Sequence, residues 1–159
     1  MSEEYRVPKR EVTAEVTVVG RDTATLKLFL SQAAQGHMGF ERPSDLLNGH
    51  ETFFPAVDDH GDLILLQREA VKVVSVATKD EMEDEAATPG SGAPAASAVE
   101  VEVMMEDAST ISGTVVYVMP MGRTRLQDFL NTGDKFLPVR QGGMVHLINK
   151  QRIARITAL

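Results

Sequence analysis

The sequence predicts an all-β chain: two tandem five-stranded small barrels, each with one short helical turn, joined by a disordered acidic linker. Three observations carry this prediction. Apolar residues alternate with polar ones in short runs bounded by turn residues. The same runs occur twice at matching spacing, and a stretch unfit to form a core separates the two occurrences. The expected units are residues 10–77 and 99–159, with the linker at 78–98.

Each unit opens on strict alternation: Val12, Ala14, Val16 and Val18 in the first, Val99, Val101, Val103 and Met105 in the second. Period two means a strand with one buried face. Gly20-Arg21-Asp22 and Glu106-Asp107-Ala108-Ser109 then turn the chain into second strands, Ala24 to Leu30 and Ile111 to Tyr117. A polar motif follows, and after it a short third strand at Phe53-Phe54-Pro55-Ala56-Val57 or Phe136-Leu137-Pro138-Val139. Tight turns at Asp58–Asp62 and Arg140–Gly143 lead to fourth strands, Leu63 to Leu66 and Met144 to Ile148. Val71 to Val76 and Ile153 to Ile156 supply the fifth. Five such strands are too small for a sandwich, but they can close as a strongly bent barrel of SH3 or Sm type. A unit of about 60 residues buries only ~60% of its unfolded surface, so the two are expected to lean on each other or on a partner. Pro55 and Pro138 remove a backbone donor and suit an edge or bulge, whereas the last strands have no proline and are expected to pair.

Internal repetition is clearest in the polar motif. Gly39 to Pro55 and Gly122 to Pro138 share G-x-x-R-x-x-D-x-L-N-x-x-x-x-F-x-P, seven identities in seventeen positions. Its polar members are Arg42, Asp45 and Asn48, and Arg125, Asp128 and Asn131. They could form a ligand site occurring twice. The preferred reading is structural: Asp caps a helical turn, Asn ends it in left-handed backbone, and Arg pairs with Asp three residues on.

Thr78 to Ala98 reads TKDEMEDEAATPGSGAPAASA and can bury almost nothing, which predicts a flexible linker. It holds four of the seven net negative charges, leaving residues 1–77 with eight basic against twelve acidic side chains and residues 99–159 with seven against six. The longest aliphatic run, Leu63 to Leu66, is far short of the roughly 20 residues a membrane helix needs. Without cysteine there is no disulfide and no thiolate zinc site, and the charged start at Met1-Ser2-Glu3-Glu4 has no apolar signal region. A cytoplasmic location is the expectation.

In the second unit, Ile111 to Tyr117, then Asp128 to Asn131, then His146 to Ile156, resembles the order of signals in Sm-like RNA-binding proteins. That family has a strand with glycine, an Asp-to-Asn loop, and a strand, tight turn and strand carrying a basic residue. The resemblance implies base contacts at Asn131 with Lys150 or Arg152, and at Asn48 with Arg68. The chain is also similar to bacterial proteins built from tandem small β domains.

No arrangement of catalytic residues stands out. The histidines, His37, His50, His60 and His146, fall in no metal-binding spacing. Asp58-Asp59-His60-Gly61-Asp62 looks locally like a calcium loop, yet its counterpart Arg140-Gln141-Gly142-Gly143 has no carboxylate, so a hairpin turn explains both. Ser44, Asp45 and His50 lack a nucleophile elbow. No cofactor, no metal and no catalytic residue are therefore expected. The expected role is a non-enzymatic protein-interaction or scaffolding module, its partner another protein or its own copies. The alternative is RNA binding by the second unit, whose basic residues gather near its last turn at Lys150, Arg152 and Arg155.

Overall fold

The computed structural model describes residues 9–31, 41–81, 97–118 and 125–159. Within them, ten antiparallel strands form one sheet. The first half contributes β1 (Lys9–Val18), β2 (Ala24–Ser31), β3 (Phe53–Val57), β4 (Leu63–Gln67) and β5 (Val71–Ala77). The second contributes β6 (Ser97–Met105), β7 (Thr110–Tyr117), β8 (Phe136–Gln141), β9 (Met144–Asn149) and β10 (Ile153–Ala158). Three short helices, α1 (Pro43–Leu47), α2 (Thr78–Glu81) and α3 (Leu126–Leu130), complete the elements, with a single 3-10 turn before β5 and another before β10. No helix among the described residues is long and apolar enough to cross a membrane.

The order across the sheet is β10-β6-β7-β8-β9-β5-β1-β2-β3-β4. Each half thus follows the same order, its fifth strand beside its first and its fourth outermost. Backbone bonds match as well. Arg68 N–H donates to Thr52 at 2.8 Å where Lys150 N–H donates to Lys135 at 2.9 Å. Val19 donates to Ala70 where Glu106 donates to Arg152, both at 2.9 Å.

The sheet is not closed into a barrel, in contrast to the two barrels expected from the sequence. The reason lies at the join. β5, the fifth strand of the first half, pairs β1 on one side and β9 on the other, from Val73↔Ile148 to Ala77↔Met144. The prolines are not at an edge either, since β3 and β8 each lie between two strands. Pairing of β2 with β3 covers only Lys27↔Val57 and Leu28↔Ala56, and that of β7 with β8 only Thr114↔Arg140. Pro55 and Pro138 sit beyond those short ladders, where a missing donor costs little.

Two hydrophobic cores form, and they divide differently from the sequence halves. The first gathers Val12, Val16, Leu28, Leu30, Leu47, Phe54 and Val74, and it also takes in Phe136, Val145 and Leu147 from the second half. The second gathers Val101, Val103, Met105, Val115, Tyr117, Leu137, Val139 and Ile148, and borrows Val73.

The linker boundaries also differ from the expectation. Thr78–Glu81 form α2, and β6 starts at Ser97; the rest of the expected linker lies outside the described residues. What holds α2 is the buried Glu81, whose Oε2 accepts the Ser44 N–H at 3.0 Å, while Thr78 N–H donates to Gly143 at 2.9 Å. Burial raises the Glu81 carboxyl above its ordinary value, against the lowering effect of Ser44.

Candidate functional site

The repeated motif builds the two short helices. Asp45 Oδ2 accepts the Arg42 N–H at 2.9 Å, closing the first turn of α1. In α3, Asp128 Oδ2 lies 3.4 Å from Arg125 Nε on the surface. Asn48 and Asn131 end these helices at φ −85° and −87°, ordinary right-handed backbone and not the left-handed one expected. Asn48 has a longer reach: its Oδ1 accepts the Phe136 N–H at 2.9 Å, tying the first half to β8. Ser44 gives both its amide and its hydroxyl to Glu81, away from any trio with Asp45 and His50.

The join of β5 and β9 gathers most of the buried polar groups. Asn149 donates to Val71 O at 2.9 Å while its Oδ1 accepts Gln151 N–H at 3.0 Å. Arg68 is buried, with Nε on Leu47 O at 2.9 Å, Nη2 on Leu46 O at 2.8 Å and its guanidinium 5.3 Å from the Phe54 ring centre. It borders a cavity of about 140 Å³ that His50, Lys135, Phe136 and Asn149 also line. Sequence reading placed Arg68 only through the family resemblance and passed over Asn149. The signal for Asn149 was a lone amide closing the strand Val145-His146-Leu147-Ile148, just before the turn at Lys150.

On one face of the join lies a polar basin of about 450 Å³, lined by Glu15, Lys72, Ser75, Asp107, Gln141 and His146. Lys72 and Asp107 form an ion pair; its hydrogen bond, with help from Ser109, holds the Asp107 carboxyl far below the usual range. Ser75 Oγ and His146 Nδ1 are 2.6 Å apart, and His146 Nε2 meets Gln141 Oε1 at 3.0 Å. Burial lowers the His146 pKa, with Glu15 acting the other way. A neutral amide as third member cannot stabilise an imidazolium as a carboxylate does. The basin therefore holds a serine and a histidine in contact, with Gln141 rather than a carboxylate hydrogen-bonded to the far imidazole nitrogen.

The residues expected to meet RNA are mostly engaged internally. Arg152 donates to Glu69 O at 3.2 and 2.9 Å and to Glu106 Oε1 at 3.2 Å. Lys150 Nζ donates to Thr132 O at 3.1 Å and sits 5.8 Å from the Phe129 ring centre, which stacks on Tyr117 at 5.0 Å. Arg155 is exposed, with Nη2 3.9 Å from Met104 Sδ, and Asn131 is exposed. Phe136 lies in the core of the opposite half and offers no stacking surface. In the Asp58–Asp62 turn, Asp58 Oδ1 accepts the His60 and Asp62 amides at 2.9 and 2.8 Å, the work of a hairpin carboxylate.

Among the described residues, what remains open is the pair of sheet edges, β4 and β10. Phe53, Leu63 and Leu65 stand on one face of the β3–β4 hairpin, 53%, 67% and 62% exposed. The matched residues of the second half, Phe136, Val145 and Leu147, are 1%, 1% and 0% exposed because β9 is covered by β5. An unpaired strand carrying such a face is a template for another strand. Comparison with family models, with curated proteins and with solved structures gave no match for the chain.

Proposed function

We propose that the chain is a cytoplasmic, non-enzymatic protein-interaction module, a scaffold of duplicated Sm-like or SH3-like β units that binds polypeptide along its free sheet edges. One observation carries the reading: the unpaired β4 edge and the apolar face of Phe53, Leu63 and Leu65 beside it. A strand laid along β4 would satisfy its backbone groups, and side chains on alternate positions would cover that face. Photoreactive p-benzoylphenylalanine in place of Leu65 is expected to cross-link to a polypeptide identified by peptide mass, and the same group in place of the exposed Thr25 of β2 is not. Equal labelling from both positions, or none from either, sinks the reading.

A second reading, single-stranded RNA on the second half, is favoured by the stacked Tyr117 and Phe129 with Lys150 beside them and Asn131 nearby in sequence. Its contacts would be Asn131, Lys150, Arg152 and Arg155. Titration of U-rich and A-rich oligonucleotides at two salt concentrations separates the two: micromolar, salt-sensitive binding lost on neutralising Lys150 and Arg152 would favour RNA.

A further inference from the structure

The two halves meet through a junction whose parts both recur, unused, at the ends of the sheet. Within the chain, the outer strand β9 of the second half pairs with the fifth strand β5 of the first. By position in their units, β4 is the counterpart of β9, and β10 the counterpart of β5. Both are edges. We infer that β4 of one copy of this chain pairs with β10 of another, head to tail, repeating between chains the junction already present within each. This rests on the edge-binding reading above and names its partner.

The register follows by transfer. Val73↔Ile148, Val74↔Leu147, Ser75↔His146 and Val76↔Val145 of the internal junction become Arg155↔Leu66, Ile156↔Leu65, Thr157↔Ile64 and Ala158↔Leu63 between copies. The side chains are complementary too. Inside the chain, Phe136, Val145 and Leu147 complete the first core. Among the described residues the second core has no such cover: Ile111, Phe129, Leu130, Ile153 and Ile156 are left only partly buried around it. The residues that would supply it are Phe53, Leu63 and Leu65 of the next copy, the three exposed ones. Asn131, counterpart of Asn48, would accept the Phe53 N–H as Asn48 accepts that of Phe136.

Two further observations favour a second copy over another partner. Leu63 to Leu66 is a continuous apolar run, the sequence of a strand buried on both faces, although the single chain covers only one. Residues 1–77 carry four more acidic than basic side chains, and residues 99–159 one more basic than acidic, so contact between unlike halves is favoured over contact between like ones. Such an interface is heterologous. It adds copies until a rotation closes a ring, or continues as a filament.

Complementary edge variants test this on the full chain. Leu65→Lys places a charge on the β4 face. Ala158→Pro removes a donor from β10 that points outward, because the neighbouring Leu159 N–H donates inward to Glu100. The wild type is expected to sediment as an assembly, and each variant alone as a folded 17.3 kDa monomer. Mixed, they are expected to form a 1:1 complex of about twice that mass, since each retains the edge the other has lost. Leu63→Lys and Ala158→Asp serve as second variants where either first choice fails to fold. A monomeric wild type, a variant that assembles alone, or a mixture that stays monomeric overturns the inference. Cross-linking from position 65 separates the levels. A cross-link to residues 153–159 of a second copy supports it. A cross-link to a different polypeptide from a monomeric chain overturns self-assembly and leaves edge binding standing, and no cross-link overturns both.

Discussion

The β3–β4 hairpin of the first half and the β8–β9 hairpin of the second occupy the same place in the same strand order, yet one is surface and the other is core. Phe53 is 53% exposed and Phe136 1%. Nothing within either hairpin causes this. The difference is the neighbour: β5 lies on one side of β9, while no described strand lies on the far side of β4. Burial here belongs to the junction and not to the unit, so substitutions at matched positions should report the junction directly.

The largest contrast is expected at the aromatic pair. Phe136→Ala removes a buried ring from the first core and should cost about 3–5 kcal/mol. Phe53→Ala, measured dilute enough to keep the chains single, should stay within about 0.5 kcal/mol. Urea denaturation midpoints read both, and equal losses would break the comparison. A second contrast lies one strand inward, where Leu26 of β2 matches Gly113 of β7. A Cβ on Gly113 would collide with Arg140 O and lie 2.7 Å from Val139 Cγ1, so β7 and β8 approach more closely than a side chain allows. Gly113→Ala is expected to cost about 3 kcal/mol, the upper end of overpacking penalties. A neutral result in a thermal melt would show that the strands separate freely. Third, Asn149→Ala leaves Val71 O without its donor and should cost about 2 kcal/mol, while Gln67→Ala at the matched, exposed place should cost a few tenths.

Much of this architecture was legible before any coordinates. The alternation of Val12, Ala14 and Val16, and of Val99, Val101 and Val103, placed the strands because a half-buried strand has period two. Asp45 and Asn48 stood out because the motif recurs. Which strands join was not legible, since alternation reports a face and not a partner. The clue lay in β5: Val71-Lys72-Val73-Val74-Ser75-Val76 is buried throughout, as in a strand covered on both faces, while its counterpart β10 shows only Ile153 and Ile156 partly buried. Lys72 and Ser75 masked that pattern, being polar residues whose burial depends on Asp107 and His146 from the other half. The Asn48 contact to Phe136 N–H was hidden for the same reason: a residue 88 positions away cannot be read from a local motif.

The smallest expected effect distinguishes the two junctions by pH. His146 faces Ser75 inside the chain, whereas the transferred register between copies puts Ile64 opposite Thr157. Burial lowers the His146 pKa, so the folded state disfavours the imidazolium that the unfolded chain forms near 6.5. Its contribution to stability is complete above that value and is lost as the pH falls through it toward the lower folded one. Glu81 runs the other way: its carboxyl is raised in the folded state, so stability is lost as pH rises from 4.5 toward the folded value, and acidification through that range restores it. His146→Ile, which installs the residue of the matched position, isolates the first effect from the second. Thermal midpoints of the wild type should fall between pH 7 and pH 5 relative to those of His146→Ile. Association between copies, which has no histidine in its register, should keep the same strength across that interval in both proteins. A pH-dependent association that His146→Ile leaves unchanged would mean that the contact between copies is not a repeat of the one within the chain.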